Sequence, residues 1–95
     1  MRVIAKRRLM ELAAQHGDCI DQVADWYRVA RRSDWRNLAE VRESFRHADT
    51  VGDKTVFNIK GNKYRLISEI NYRYQRLYIR HVLTHAEYDQ EKWTR

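Results

Sequence analysis

An α+β fold, with N-terminal helices packed on one face of a small antiparallel sheet, is predicted by three observations. Apolar residues in the first half recur every three or four positions, and in the second half they alternate. The change of period falls near Phe45. The 95 residues contain no proline and three glycines, which implies regular elements joined by short connections.

Arg2 to Ala5 reads as a short first strand, and Lys6 to Gln15 as a helix with Leu9, Leu12 and Ala13 on one face. His16-Gly17 stops it, glycine supplying a left-handed cap. Asp18 then serves as the N-cap of a second helix, in which Ile20, Val23, Ala24, Tyr27 and Ala30 form the apolar stripe. That helix ends near Arg31-Arg32, where cations suit a helix C-terminus. Ser33 or Asp34 caps a shorter third helix carrying Leu38, Val41 and Phe45.

Residues 47–53 form a connection, and Thr55 to Lys60 is a strand. Gly61-Asn62 turns the chain. In the strand from Lys63 to Tyr72, one face carries Tyr64, Leu66, Ile70 and Tyr72, and the other Lys63, Arg65, Ile67, Glu69 and Asn71. After a turn at Tyr74-Gln75, Arg76 to Leu83 places Leu77, Ile79 and Leu83 on one face and Arg76, Tyr78, Arg80 and Val82 on the other. Thr84-His85-Ala86-Glu87 has the spacing of a capping box and opens a short C-terminal helix to about Gln90.

The length is that of one domain. The formal net charge is +6, which directs attention to nucleic acid, the ribosome or an acidic protein as partner. Residues 54–80 hold seven cations against one acid, Glu69, so the sheet carries the excess. Cys19 is the sole cysteine, so no internal disulfide or cysteine-rich metal site forms. No apolar stretch approaches the roughly 20 residues that cross a bilayer. The expectation is a soluble cytoplasmic protein without membrane association.

Burying the apolar strand faces on the helices leaves Arg65 and Arg80 on the opposite face. A guanidinium there can hold a phosphate through two parallel hydrogen bonds, or serve only as a solvated surface cation. His85 follows the third strand and can move a proton near neutral pH; a surface histidine beside a capping threonine is the plainer reading. Tyr88 shares its helical face, to position a phosphate, to stack on a base or to pack the helix on the sheet. His81 points toward the helices as a structural histidine, and His16 and His47 sit in connections without obvious partners. Trp26 and Trp35 read as core or interface, and Cys19 as a small semi-buried residue. No group of ligand-type residues has metal spacing. Any cleavage is then metal-independent, with the RNA 2′-hydroxyl as internal nucleophile. The short KGNKYR segment is a hairpin turn, since it lacks the spacing and the following helix of a phosphate loop.

Three blocks of this chain, VFNIKGNKYRLI (56–67), LYIRHVLTHAEYD (77–89) and the trailing Trp93, in that order, resemble the HigB family of type II toxin–antitoxin toxins, within the RelE-like group of mRNA interferases. The likeness is close over about the last 40 residues and looser over the helical half, where length and the opening RVIAKRRL agree. It implies a single RelE-like toxin domain over residues 1–95. It further implies a toxin that cleaves messenger RNA, typically on the translating ribosome. Its partner would be a HigA-type antitoxin with a helix-turn-helix domain, and operator DNA would be reached only through the toxin–antitoxin complex. No cofactor is implied. The motifs point to Arg65, Arg80, His85 and Tyr88 as the catalytic group: His85 for proton transfer, the two arginines for the phosphorane, Tyr88 for positioning. Asp89 would orient His85 or support the helix. Lys60, Asn62, Lys63, Arg73 and Arg76 would hold RNA. Two rivals remain: a non-catalytic RNA- or ribosome-binding module on the same basic sheet, and a toxin relic that only binds its antitoxin.

Overall fold

The computed structural model describes residues 1–94, and its elements follow the expected order. Strand β1 (Arg2–Ile4) leads into helices α1 (Lys6–Ala14), α2 (Ile20–Arg32) and α3 (Leu38–Ser44). Strands β2 (Asp49–Val51), β3 (Lys54–Ile59), β4 (Tyr64–Asn71) and β5 (Arg76–Thr84) follow, then helix α4 (His85–Asp89) and a 3₁₀ turn at Lys92–Thr94. The sheet order is β1-β5-β4-β3-β2, with β2 to β5 antiparallel and β1 joined to β5 in parallel. The helices supply the long crossover that a parallel neighbour requires.

The helices cover one sheet face. Leu9, Leu12 and Ala13 from α1 and Val23, Trp26 and Ala30 from α2 are buried there against Phe57, Leu66, Leu77 and Ile79. Its aromatic centre is edge-on: the Trp26 and Phe45 rings lie 5.2 and 5.3 Å from Phe57. Trp35 meets Phe45 in the same way at 5.8 Å. Such pairs add to the area they bury because the positive ring edge meets the negative face. Cys19 is fully buried rather than half-exposed.

Two helix starts differ from expectation. Cys19 stands at the N-cap of α2 without a side-chain bond, because the Asp18 carboxylate is spent on the sheet. Helix α3 is capped by Asn37, whose Oδ1 accepts from the Glu40 amide at 3.0 Å, rather than by Ser33 or Asp34.

The larger departure is a bulge in β5. Ile67 pairs with His81 and Ser68 with Ile79, which leaves Arg80 as an extra residue. An inserted residue reverses the alternation beyond it. Val82 therefore enters the helix-side core, while His81 and Leu83 turn to the opposite face, the reverse of what unbroken alternation predicts. His81 is a structural histidine on the other side of the sheet, and burial there pushes its pKa down.

That opposite face is not open along its whole length. The C-terminal segment folds back over it, and Trp93 packs on Val56 and Ile67 with Leu83 and Tyr88 beside it. One end of the face is covered and the other is exposed.

Candidate functional site

The covered end holds three of the four residues singled out for chemistry. Lys60 and Gly61 turn the β3–β4 hairpin, both at positive φ (53° and 65°). Lys63 then presents its carbonyl to the His85 amide at 3.1 Å, which ties the start of α4 to the hairpin. The capping box is complete: the Glu87 amide donates to Thr84 Oγ1 at 3.1 Å and the Thr84 amide to Glu87 Oε1 at 2.9 Å. These bonds fix where His85 projects. Its side chain is 46% exposed, and its Nδ1 lies 2.9 Å from Asp89 Oδ2. An Nδ1–H donated to a carboxylate leaves Nε2 as the acceptor facing solvent.

Arg65 lies on the predicted face but beneath α4, only 8% exposed. Its guanidinium donates to the Asn62 carbonyl at 3.0 Å, the Tyr64 carbonyl at 3.2 Å and Asn62 Oδ1, and sits 5.4 Å from the Tyr88 ring centroid. Tyr88 is stacked between that cation and Trp93, whose ring is 5.1 Å away at 16°. The Trp93 Nε1–H donates to the Tyr88 carbonyl at 2.9 Å. Tyr88 thus packs the helix on the sheet and is held rigidly while doing so.

On the helix side of the same hairpin, Asp18 gathers the cations. Its side chain accepts from Lys63 Nζ and the Tyr64 hydroxyl, and Lys60 Nζ lies 3.4 Å from its Oδ2 while donating to its carbonyl at 2.8 Å. The Lys63 bond, then the Tyr64 bond, hold the Asp18 carboxyl well below its ordinary range, and the Tyr64 phenol is pushed up to about 12. His16 is also engaged: Nε2 is 2.9 Å from the Val82 carbonyl, and its ring lies 4.9 Å from that of Tyr64. The contacts of Asp18, His16 and Tyr64 escaped the sequence reading because their partners lie 42 to 66 residues away along the chain. Trp93 was noticed, but nothing local indicated that it would cover the sheet.

The remaining cations lie elsewhere on the face. Arg80, the bulge residue, donates to both oxygens of Glu69 at 3.1 and 3.3 Å, and Lys54 Nζ is 3.3 Å from the same carboxylate. The Arg80 bond leads in holding the Glu69 carboxyl low. Arg73 and Arg76 sit at the β4–β5 turn, 5.4 and 5.9 Å from the Tyr74 ring. His85, Tyr88, Arg65, Asn62, Lys60 and Lys63 therefore cluster at one end, while Arg80 stands mid-sheet and Arg73 and Arg76 at the far end. Among the described residues, no three His, Cys, Asp or Glu side chains are grouped to hold a metal ion, and no helix is long and apolar enough to cross a membrane.

The small α+β domain with its cationic sheet is consistent with the class of RelE-like toxins, and sequence comparison shows the family. Residues 19–91 match the family model described as HigB toxin, the RelE-like toxic component of a toxin–antitoxin system, and the chain belongs to that family. It is 29% identical over 93 residues to the mRNA interferase HigB of Escherichia coli O6:H1 strain CFT073, covering 95% of this chain and 90% of that protein. The mRNA interferase toxin HigB of Escherichia coli K12 is 47% identical over 34 residues, about a third of either chain. As a family member, the chain is the toxin half of a pair whose other half is an antitoxin.

Proposed function

We propose that this chain is an endoribonuclease that cuts messenger RNA on the translating ribosome without a metal ion. In this reading a HigA-type helix-turn-helix antitoxin neutralises it in the cytoplasm and carries the complex to operator DNA. The observation that carries the reading is the exposed His85–Asp89 pair, tied to the cationic β3–β4 hairpin by the bond from the His85 amide to the Lys63 carbonyl. His85 Nε2 takes the proton from the RNA 2′-hydroxyl, whose oxygen bonds to the adjacent phosphorus. Asp89 keeps the tautomer and steadies the imidazolium that forms. The P–O5′ bond breaks, and the departing oxygen takes a proton from Lys63, whose backbone is bonded to that of His85. The products carry a 2′,3′-cyclic phosphate and a 5′-hydroxyl.

Lys60 and Lys63 offset charge on the phosphorane, for which RNA displaces Asp18. Arg65 holds Tyr88 and the hairpin turn in place and contributes positive potential from beneath. Arg80 grips the backbone of a neighbouring nucleotide by exchanging Glu69 for phosphate, with Arg73 and Arg76 further along. The excess of lysine and arginine over residues 54–80 supports a second reading, in which the same face holds RNA without cutting it. End chemistry separates the two. Fragments from cells making the toxin should ligate only after kinase treatment, which marks 5′-hydroxyl ends, and His85→Ala should yield none. Intact messages under arrested translation would select the binding module.

A further inference from the structure

The exposed end of the sheet is built differently from the His85 end. A cavity of about 520 Å³ lies there, lined by Asp53, Glu69, Asn71, Arg73 and Tyr78 among others. Glu69 pairs with Tyr78 and Asn71 with Arg76 in the β4–β5 ladder, so these side chains share the uncovered face. The Tyr78 ring is half-buried, and the Arg80 guanidinium lies 5.4 Å from its centroid. Beyond it stands Tyr74, 60% exposed, with Arg73 and Arg76 against its ring. Tyrosine rings interleaved with guanidiniums beside a hollow are what an unpaired nucleic-acid strand requires: planar surfaces for bases, cations for the phosphates between them. The carboxylates of Asp53 and Glu69 at the rim accept hydrogen bonds, as the exocyclic amino groups of adenine, cytosine and guanine demand.

We infer that this cavity is a base-binding subsite, in which Tyr78 stacks an unpaired RNA base several nucleotides from the phosphate that is cut. The inference rests on the ribonuclease reading and adds to it the place where sequence preference is set. Along β5, Tyr78 is about 17 Å from Thr84, the residue before His85, counting five paired positions at about 3.3 Å each. Tyr78 and Thr84 belong to the same strand, and the bulge at Arg80 lies between them. An amino-bearing base is preferred there over uracil, which presents carbonyl oxygens toward the same carboxylates.

The test is a primer-extension map of cuts in a reporter message, comparing native protein with Tyr78→Leu and Tyr78→Phe. Tyr78→Leu should cut about tenfold less and lose the base preference at one fixed distance from the cut. Tyr78→Phe keeps the ring and should keep both. Circular dichroism checks that Tyr78→Leu is folded; should it be unfolded, Asp53→Asn, at an exposed carboxylate lining the same cavity, takes its place, with a weakened preference for an amino-bearing base expected. Native and Tyr78→Leu maps that are identical in sites and intensities would overturn the subsite and leave the ribonuclease reading standing. No cuts from native protein would overturn the ribonuclease reading, and the subsite with it.

Discussion

Asp18 bears on stability and on the proposed site at once, because one carboxylate joins the α1–α2 connection to the β3–β4 hairpin through Lys60, Lys63 and Tyr64. Its pKa is held below the ordinary 3.8, so the ionised form is the one that favours folding. The stability it contributes is present above that ordinary value and is lost as pH falls toward the lowered one. Asp18→Asn should therefore lower the melting temperature at neutral pH, with the gap from native protein closing in acid. A gap that is unchanged down to pH 2 would show that the carboxylate charge is not what matters. Little of this network was legible in the sequence: an aspartate after a glycine reads as a helix cap by local rule, and only the fold brings the hairpin lysines to it. His85, Asp89 and Thr84 were legible because four consecutive residues set their cap and one helical turn sets their pairing.

The two elements that shape the candidate site are the bulge in β5 and the C-terminal segment. Period-two reading placed Leu77, Ile79, Tyr78 and Arg80 on the correct faces, and failed from His81 onward because an inserted residue leaves no mark in composition. The same reading made the cationic face wholly open, since nothing in residues 90–94 announces that Trp93 will seat on Val56 and Ile67. Thr84→Ala removes the acceptor for the Glu87 amide and should cost about 1 kcal/mol, read by denaturant unfolding. It should also reduce toxicity, because the cap fixes the direction of His85. Trp93→Ala uncovers the second cluster and removes the stacking partner of Tyr88. It should cost about 3 kcal/mol, the lower bound for a large aromatic, since Trp93 lies at the periphery of the molecule. A Trp93→Ala protein as stable as the native one would mean that the C-terminal segment does not hold the face.

For the molecule as a whole, the helices are a platform and the proposed site lies on the sheet. The helical half buries the aromatic centre and leaves the excess charge to the strands. This arrangement was legible in outline, because the change from helical to alternating period and the bias of residues 54–80 toward lysine and arginine are both large-scale patterns. The parallel attachment of β1 was not, since three residues of strand carry no information on which edge they join. A polyanion held by this face should bind with strong dependence on salt: each cation removed, as in Arg73→Gln or Arg76→Gln, should reduce the slope of log affinity against log salt by about 0.7 for a single strand. An unchanged slope in both variants would place the strand elsewhere.

The most direct test of the central claim is the position of message ends after brief induction of native protein and of His85→Ala, mapped by primer extension, with both proteins shown to be folded and equally abundant. New ends within translated regions, produced by the native protein and absent with His85→Ala, are the predicted result. Identical ends from the two proteins would contradict the assignment of His85. Intact messages from the native protein, with translation still arrested, would contradict cleavage itself.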